Sequence, residues 1–406
     1  MPDRGFRGWR VTWAAFIVAA FGWGVGFYGP PVFLFAVQDS RGWSVALVSA
    51  AVTSHFLGGA VVVANLPRIY ARFGLVRVTR LGGCLAGAGV LGWALADVPW
   101  QLFAATLLSG AGWAMTGGAA INALVSPWFQ RLRPAALGTA YNGASMGGVV
   151  FSPLWVALIG VLGFAGAAAL IGGAMALALW WLAGRYFAAG PAAFGQCPDG
   201  EASPPPDARA EPVHAALPGA ALWRNRRFAT LAFATALGLF AQVGLITHLI
   251  SLLAAPMGAQ NAGLAAALAT VCAMIGRTGL GWVLSRGGDR RLAAAANGVV
   301  QIAGSLAFFA SGGTDVALLL LGIVLFGLGL GNATSLAPMI AQRDFTPRDT
   351  ARAVALVTAC SQGAYAFAPA AFGLLRGLEP GWFFVVTALI QAAAAVVILA
   401  GRTRPG

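Results

Sequence analysis

Apolar positions in this chain come in long, nearly unbroken runs, and the polar residues are swept into the short segments between them. Twelve runs stand out, near 11–37, 43–65, 78–96, 99–127, 135–162, 165–184, 228–254, 262–285, 292–311, 315–341, 352–375 and 381–401. Each holds about 20 or more residues, the length at which an α-helix crosses a hydrocarbon core of about 30 Å. The pattern predicts an all-α membrane protein of twelve transmembrane helices. It breaks once, from Phe187 to Asn225, where proline and acidic residues gather without an apolar period. That stretch is expected to be a linker between two six-helix halves, giving bundles at 1–186 and 226–406 and a cytoplasmic linker at 187–225.

Composition agrees, since 59% hydrophobic and 9% charged residues leave too little polar surface to coat a soluble globule of 406 residues. The net charge of +13 comes entirely from arginine among the basic residues, because the chain contains no lysine. With the N-terminus inside, the inner segments hold 22 of the 25 arginines and the outer ones only Arg41 and Arg376. That asymmetry follows the positive-inside rule and places both termini in the cytoplasm, in a multi-pass protein of the cell (inner) membrane. The positive charge therefore reports topology, and nucleic-acid binding is not expected from arginines scattered over seven segments. The first run is too long for a signal-peptide core and is expected to be retained.

The remaining arginine is the chemical lead. Arg277 lies inside the eighth run, nine residues before Arg286, which is about 13 Å along a helix at 1.5 Å per residue. A cation at that depth is expensive unless it faces a bundle interior or a watery cavity. Its planar fork of donors matches a carboxylate. A structural arginine bonded to helix carbonyls is the competing reading.

Polar residues on other runs are candidates to complete a cavity, and Tyr28, Asn122, Asn142 and Tyr365 are the preferred ones, beside Trp23, Tyr141, Gln242, Asn332 and Gln362. Pro30 and Pro31 are expected to break the first helix and free carbonyls beside a cavity. His55 and His248 fall within the second and seventh runs, where a buried histidine serves either a proton relay or a plain interhelical hydrogen bond. The Gly143–Gly147 and Gly327–Gly331 runs predict close helix packing.

Enzymatic chemistry is not expected. The twelve acidic residues fall in loops or at helix ends, and His, Cys, Asp and Glu show no metal-ligand spacing. A phosphate-cradling Gly-Lys-Ser/Thr loop is excluded by the absence of lysine, so neither a metal nor another cofactor is expected.

The segment ARFGLVR, Ala71 to Arg77, resembles the loop signature of the major facilitator superfamily, with Ala71 where an Asp is usual. The second half repeats it weakly as Ser285 to Arg290. GWRVTWAAFIVAAFGWGVGFYGPPVFLF, WFQRLRPAALGTAYNGASMGGVVFSPL and the IGR at Arg277 are similar to the monocarboxylate transporter and oxalate/formate antiporter branch. The resemblance implies that Arg277 binds the substrate carboxylate. Many members carry an Asp one turn earlier and a lysine in helix 1 or 11; here Ala273 stands at the first place and lysine is missing. The expected function is secondary transport of small organic anions by a monomeric carrier, with exchange favoured over proton coupling. An exporter of amphipathic drugs or metabolites is the alternative, and a transporter-like sensor a more distant one.

Overall fold

The computed structural model describes residues 6–200, 219–285, 288–378 and 381–402. The described residues are helical and connected by short turns. In chain order the helices are α1 Gly8–Gly26, α2 Gly29–Arg41, α3 Val45–Leu95, α4 Pro99–Thr116, α5 Gly118–Val125 and α6 Arg133–Tyr186. They continue with α7 Gly219–Arg224, α8 Arg226–Met257, α9 Ala259–Ser285, α10 Arg290–Ala310 and α11 Val316–Gly329. The last four are α12 Asn332–Asp344, α13 Pro347–Ala366, α14 Ala368–Leu375 and α15 Trp382–Ala400. Among the described residues, nine helical stretches are long and apolar enough to cross a membrane. Two of the helices themselves run through a break, α3 at Gly74 (φ 76°) and α6 at Gly163 (φ 69°). The left-handed backbone at Gly74 sits in the ARFGLVR segment and shows why glycine is needed there: a side chain at that φ is strained.

The chain separates into two compact units, one of residues 1–42 and 54–213, the other of residues 43–53 and 214–406. In the first, Trp93, Trp155 and Phe33 are fully buried and meet edge to face, Phe33 lying 4.7 Å from Trp155 and 5.6 Å from Trp93. Gly143 and Gly147 let α6 press directly on the α1 backbone at Phe16 and Ala20, where a β-carbon would collide with the carbonyls. In the second unit the core is built on Phe308, Phe372, Phe383 and Phe384. Side-chain caps start its helices: Asn225 on α8, Asp289 on α10, Asp315 on α11 and Thr346 on α13 each accept from a backbone N–H of the first turn.

The break expected in the first apolar run is present, parting α1 from α2 at Phe27–Tyr28 with prolines in the first turn of α2. Two carbonyls at this break are satisfied within the fold: Gly26 O accepts from His55 Nε2 at 2.9 Å and Gly24 O from Trp155 Nε1 at 3.1 Å. The stretch 187–225 is more ordered than a bare linker. Its first part packs on the first unit through two short 3₁₀ turns, Pro191–Phe194 and Pro198–Gly200. Arg7 lies 3.9 Å over the Phe194 ring, and the Asp199 carboxylate accepts from three consecutive backbone N–H groups, Gln130, Arg131 and Leu132, at 2.7–3.2 Å. Those N–H groups point together from a turn ahead of α6 and form an anion-binding concavity that Asp199 fills. Residues 201–218 of the expected linker lie outside the described residues, and residues 219–224 form α7.

Candidate functional site

The site is built where α9 meets the interrupted pair α11 and α12. Gly276 and Gly327 have no side chains, so α9 and α11 touch backbone to backbone, the position of a Gly276 β-carbon being occupied by Leu328 O. This contact sets the next residue, Arg277, over the gap between α11 and α12. There Leu330 is extended and Gly331 turns the chain in the left-handed region, φ 76°. One terminal guanidinium nitrogen of Arg277 rests against Gly331 in the space a β-carbon would fill.

Breaking a helix leaves open carbonyls, and two asparagines plug them. Asn332 Nδ2 donates to Leu328 O at 3.0 Å and to Asn297 Oδ1 at 2.7 Å, while Asn297 Nδ2 donates to Gly329 O at 3.1 Å. A second amide cluster lies one turn further along α10. Gln301 Oε1 accepts from Gln242 Nε2 at 3.2 Å and Gln391 Nε2 at 3.4 Å, and Ser305 donates to Gln391 Oε1 at 3.0 Å. A cavity of about 60 Å³ among Gln242, Asn297, Gln301 and Gln391 has room for a few waters at most. Three buried polar atoms at this place have no hydrogen-bond partner: Arg277 Nε, Gln301 Nε2 and Asn332 Oδ1.

Charge concentrates here. The guanidinium of Arg277 and the positive end of α12 meet at Gly331, and among the described residues no carboxylate pairs with Arg277. Buried polar groups in native proteins are almost always hydrogen-bonded. The half-buried Arg277 guanidinium thus combines an orphan donor with a position beside a helix N-terminus, two features that each favour negative charge.

The other sequence candidates fall in separate places. In the first unit, Asn122 on α5 is exposed and donates to the Tyr141 hydroxyl at 2.8 Å, and Tyr141 donates to Gly118 O. Tyr141 stands edge-on to Trp23, which packs on Trp113 at 4.8 Å. Asn142 is exposed on α6, and Tyr28 is half-buried at the α1–α2 break against Phe27. In the second unit, Tyr365 is half-buried near the end of α13 and hydrogen-bonded to Gln362. No contact joins Tyr365 to Arg277 among the hydrogen bonds and ion pairs of the described residues.

Both helix-borne histidines are fully enclosed. His55 Nε2 faces the Gly26 carbonyl and so carries the proton, which leaves Nδ1 to accept from Ser109 Oγ at 2.8 Å; Trp93 Nε1 donates to the same Ser109. A relay through His55 would break both bonds. His248 Nε2 donates to Pro369 O at 3.2 Å, while its Nδ1 is buried without a partner. Among the described residues no three of His, Cys, Asp and Glu gather as a metal site would require.

Gly331, Asn297, Gln301 and Gln391 are residues that sequence reasoning passed over. Asn297 and Gln301 stand four apart on α10 and so share a helix face, a spacing readable from sequence. Gly331 was visible only as part of a glycine run taken for packing.

A family model described as Major Facilitator Superfamily matches residues 12–369, and the chain belongs to that superfamily. It is thus a multi-pass membrane transporter and not an enzyme. Monocarboxylate transporter 13 of Rattus norvegicus is 31% identical over 178 residues, 42% of this chain and 39% of the relative. Monocarboxylate transporter 1 of the same species is 26% identical over 181 residues, 42% and 34% of the two chains. MFS-type transporter 1 of Ophiocordyceps sp. (strain BCC 1869) is 29% identical over 170 residues, 40% and 36%. The alignments span less than two fifths of each of these relatives. Among solved structures, a bacterial homolog of the human lysosomal transporter Spinster, inward-facing and unoccupied, superposes with a TM-score of 0.75 at 16% identity over 100% of both chains. The nucleoside transporter NupG gives 0.74 at 15% identity, covering 96% of this chain and 98% of its own. At these identities the structural likeness is one of fold.

Proposed function

We propose that this protein is a secondary active transporter of small organic anions, monocarboxylate-like in substrate class, with Arg277 as the carboxylate anchor. The observation that carries the reading is the unpaired Arg277 guanidinium set against the N-terminus of α12. The partial likeness to monocarboxylate transporters supports the same class. Counting α3 and α6 as two spans each and adding α4–α5 brings the nine stretches to twelve, with both termini in the cytoplasm of a cell whose inner membrane holds the carrier as a monomer. Transport then follows alternating access by the two units. Tyr28, Asn122, Asn142 and Tyr365 are proposed to line the route, and His55 and His248 remain the proposed proton carriers if coupling to protons occurs. Exchange is the favoured mode, because an empty carrier must reorient with the Arg277 charge uncompensated while a bound carboxylate neutralises it.

The test is uptake by proteoliposomes. Vesicles preloaded with a monocarboxylate should take up labelled lactate or formate much faster than empty ones, and Arg277→Lys should lose most of that rate while keeping its fold. Near-normal transport by Arg277→Ala removes the anchor assignment. Equal accumulation by empty vesicles under an imposed proton gradient removes the exchange mode. The aromatic cluster Trp23, Trp113 and Tyr141 favours the second reading, export of amphipathic compounds. That reading gains if Arg277 is dispensable and Trp23→Ala is not.

A further inference from the structure

A second cavity of about 270 Å³ lies in the same unit, away from Arg277, bounded by the last turns of α8, α10 and α14 and the first turns of α11 and α15. Its walls are mostly apolar, leucine and phenylalanine together, with Leu253, Phe308, Phe309, Phe383 and Phe384 among them. Among the described residues one charge lines it, Arg376, at the end of α14.

That guanidinium is held rather than free. Its Nη1 donates to Ser251 Oγ at 2.8 Å, and Ser251 spends its own hydroxyl proton on His248 O at 2.9 Å. The serine can therefore only accept from Arg376, which fixes the side chain on the cavity wall. Among the described residues no carboxylate pairs with Arg376. Burial works against its charge and lowers its affinity for the proton. The turn between α10 and α11 that closes one side, Gly312–Gly313, has both residues in the left-handed region and brings no side chain into the space.

We propose that this cavity is a separate binding site for an amphipathic carboxylate, its head on Arg376 and its aliphatic or aromatic tail among the phenylalanines. A fixed cation at the edge of an apolar pocket selects a ligand with one anionic end and one apolar end. The volume lies just under that of drug-sized pockets, so a chain of about eight carbons suits it. Tail burial should raise affinity about fourfold per added methylene until the cavity is full. The site does not rest on Arg277 and stands or falls apart from it.

The experiment is thermal unfolding of the full chain in nanodiscs of zwitterionic lipid, titrated with butyrate, hexanoate, octanoate and octanol. Octanoate should stabilise the protein, with an apparent affinity at least tenfold above that of butyrate and with octanol far weaker. The octanoate shift should survive in Arg277→Gln and vanish in Arg376→Gln, and Arg376→Glu should instead respond to octylamine. Octanol matching octanoate would show an apolar hole filled by any chain and overturn the proposal. So would an octanoate shift that persists in Arg376→Gln, or one lost in Arg277→Gln, which would return the ligand to the first site without touching the transport assignment.

Discussion

Two arginines of the second unit, the half-buried Arg277 and the buried Arg291, differ in how their donors are used. Arg291, 5% exposed, has five donors and five hydrogen bonds: two to Asp344 Oδ2 at 2.8 and 3.1 Å, and one each to Thr230 Oγ1, Ile398 O and Arg227 O. It ties α10 to α8, α12 and α15 in a single knot. Arg277 has a buried Nε with no partner and a terminal nitrogen leaning on a glycine. A guanidinium whose every donor is used is part of the scaffold; one left short, at a broken helix, is the candidate for a ligand.

The sharpest way to break this contrast is to delete each charge in turn. Arg291→Ala strands Asp344, only 13% exposed, without its cation and should cost about 3–5 kcal/mol. Thermal unfolding monitored by size-exclusion fluorescence should show a large fall in midpoint or loss of the folded peak. Arg277→Gln should leave that midpoint nearly unchanged while monocarboxylate uptake collapses. If the two variants unfold alike, the distinction between scaffold and site is wrong.

Gly331 allows a finer test. Gly331→Ala imposes a side chain at φ 76°, which costs about 1–2 kcal/mol, and sets its methyl group where the Arg277 nitrogen lies. In wild type both effects apply; in Arg277→Gln the collision is lightened and the backbone strain remains. A double-mutant cycle should therefore return a coupling of about 0.5–3 kcal/mol, with Gly331→Ala milder in the Arg277→Gln background. Simple additivity would mean that Gly331 does not position Arg277.

Much of this contrast was legible in the sequence, and its missing parts have a physical cause. Arg277 stood out because a lone charge in an apolar run has few explanations, and the helical runs were legible from length alone. The partners were not. The asparagine plugs depend on a helix break at Gly331 that looks like any close-packing glycine, and the knot around Arg291 depends on residues 53 to 107 positions away. His55 shows the same limit: its role depends on the carbonyl freed by Pro30, and only the fold brings Gly26 to it. The docking of Asp199 was hidden because a backbone concavity has no side-chain signature.

The smallest effect sits at the rim of the Arg291 knot. Asp289 caps α10 through the N–H groups of Arg291 and Leu292 and pairs with Arg402 Nε at 2.6 Å. Burial opposes its charge, yet the bonds from Leu292, Arg402 and Arg291 outweigh that and hold the carboxyl below its ordinary value of 3.8. A carboxyl depressed in the folded state stabilises the fold above the unfolded pKa, and this contribution is lost as pH falls through the folded one. Both partners are about one-third exposed, so the pair itself is worth only about 0.2–1 kcal/mol and weakens with salt. Asp289→Asn keeps a good helix cap and removes only the charge. Its unfolding midpoint should lie slightly under wild type from pH 7 to 5, and the gap should close below pH 4 as the wild-type carboxyl takes up its proton. A gap that stays constant down to pH 3 would mean that the Asp289 charge adds nothing to the knot, which would then rest on Arg291 and Asp344 alone.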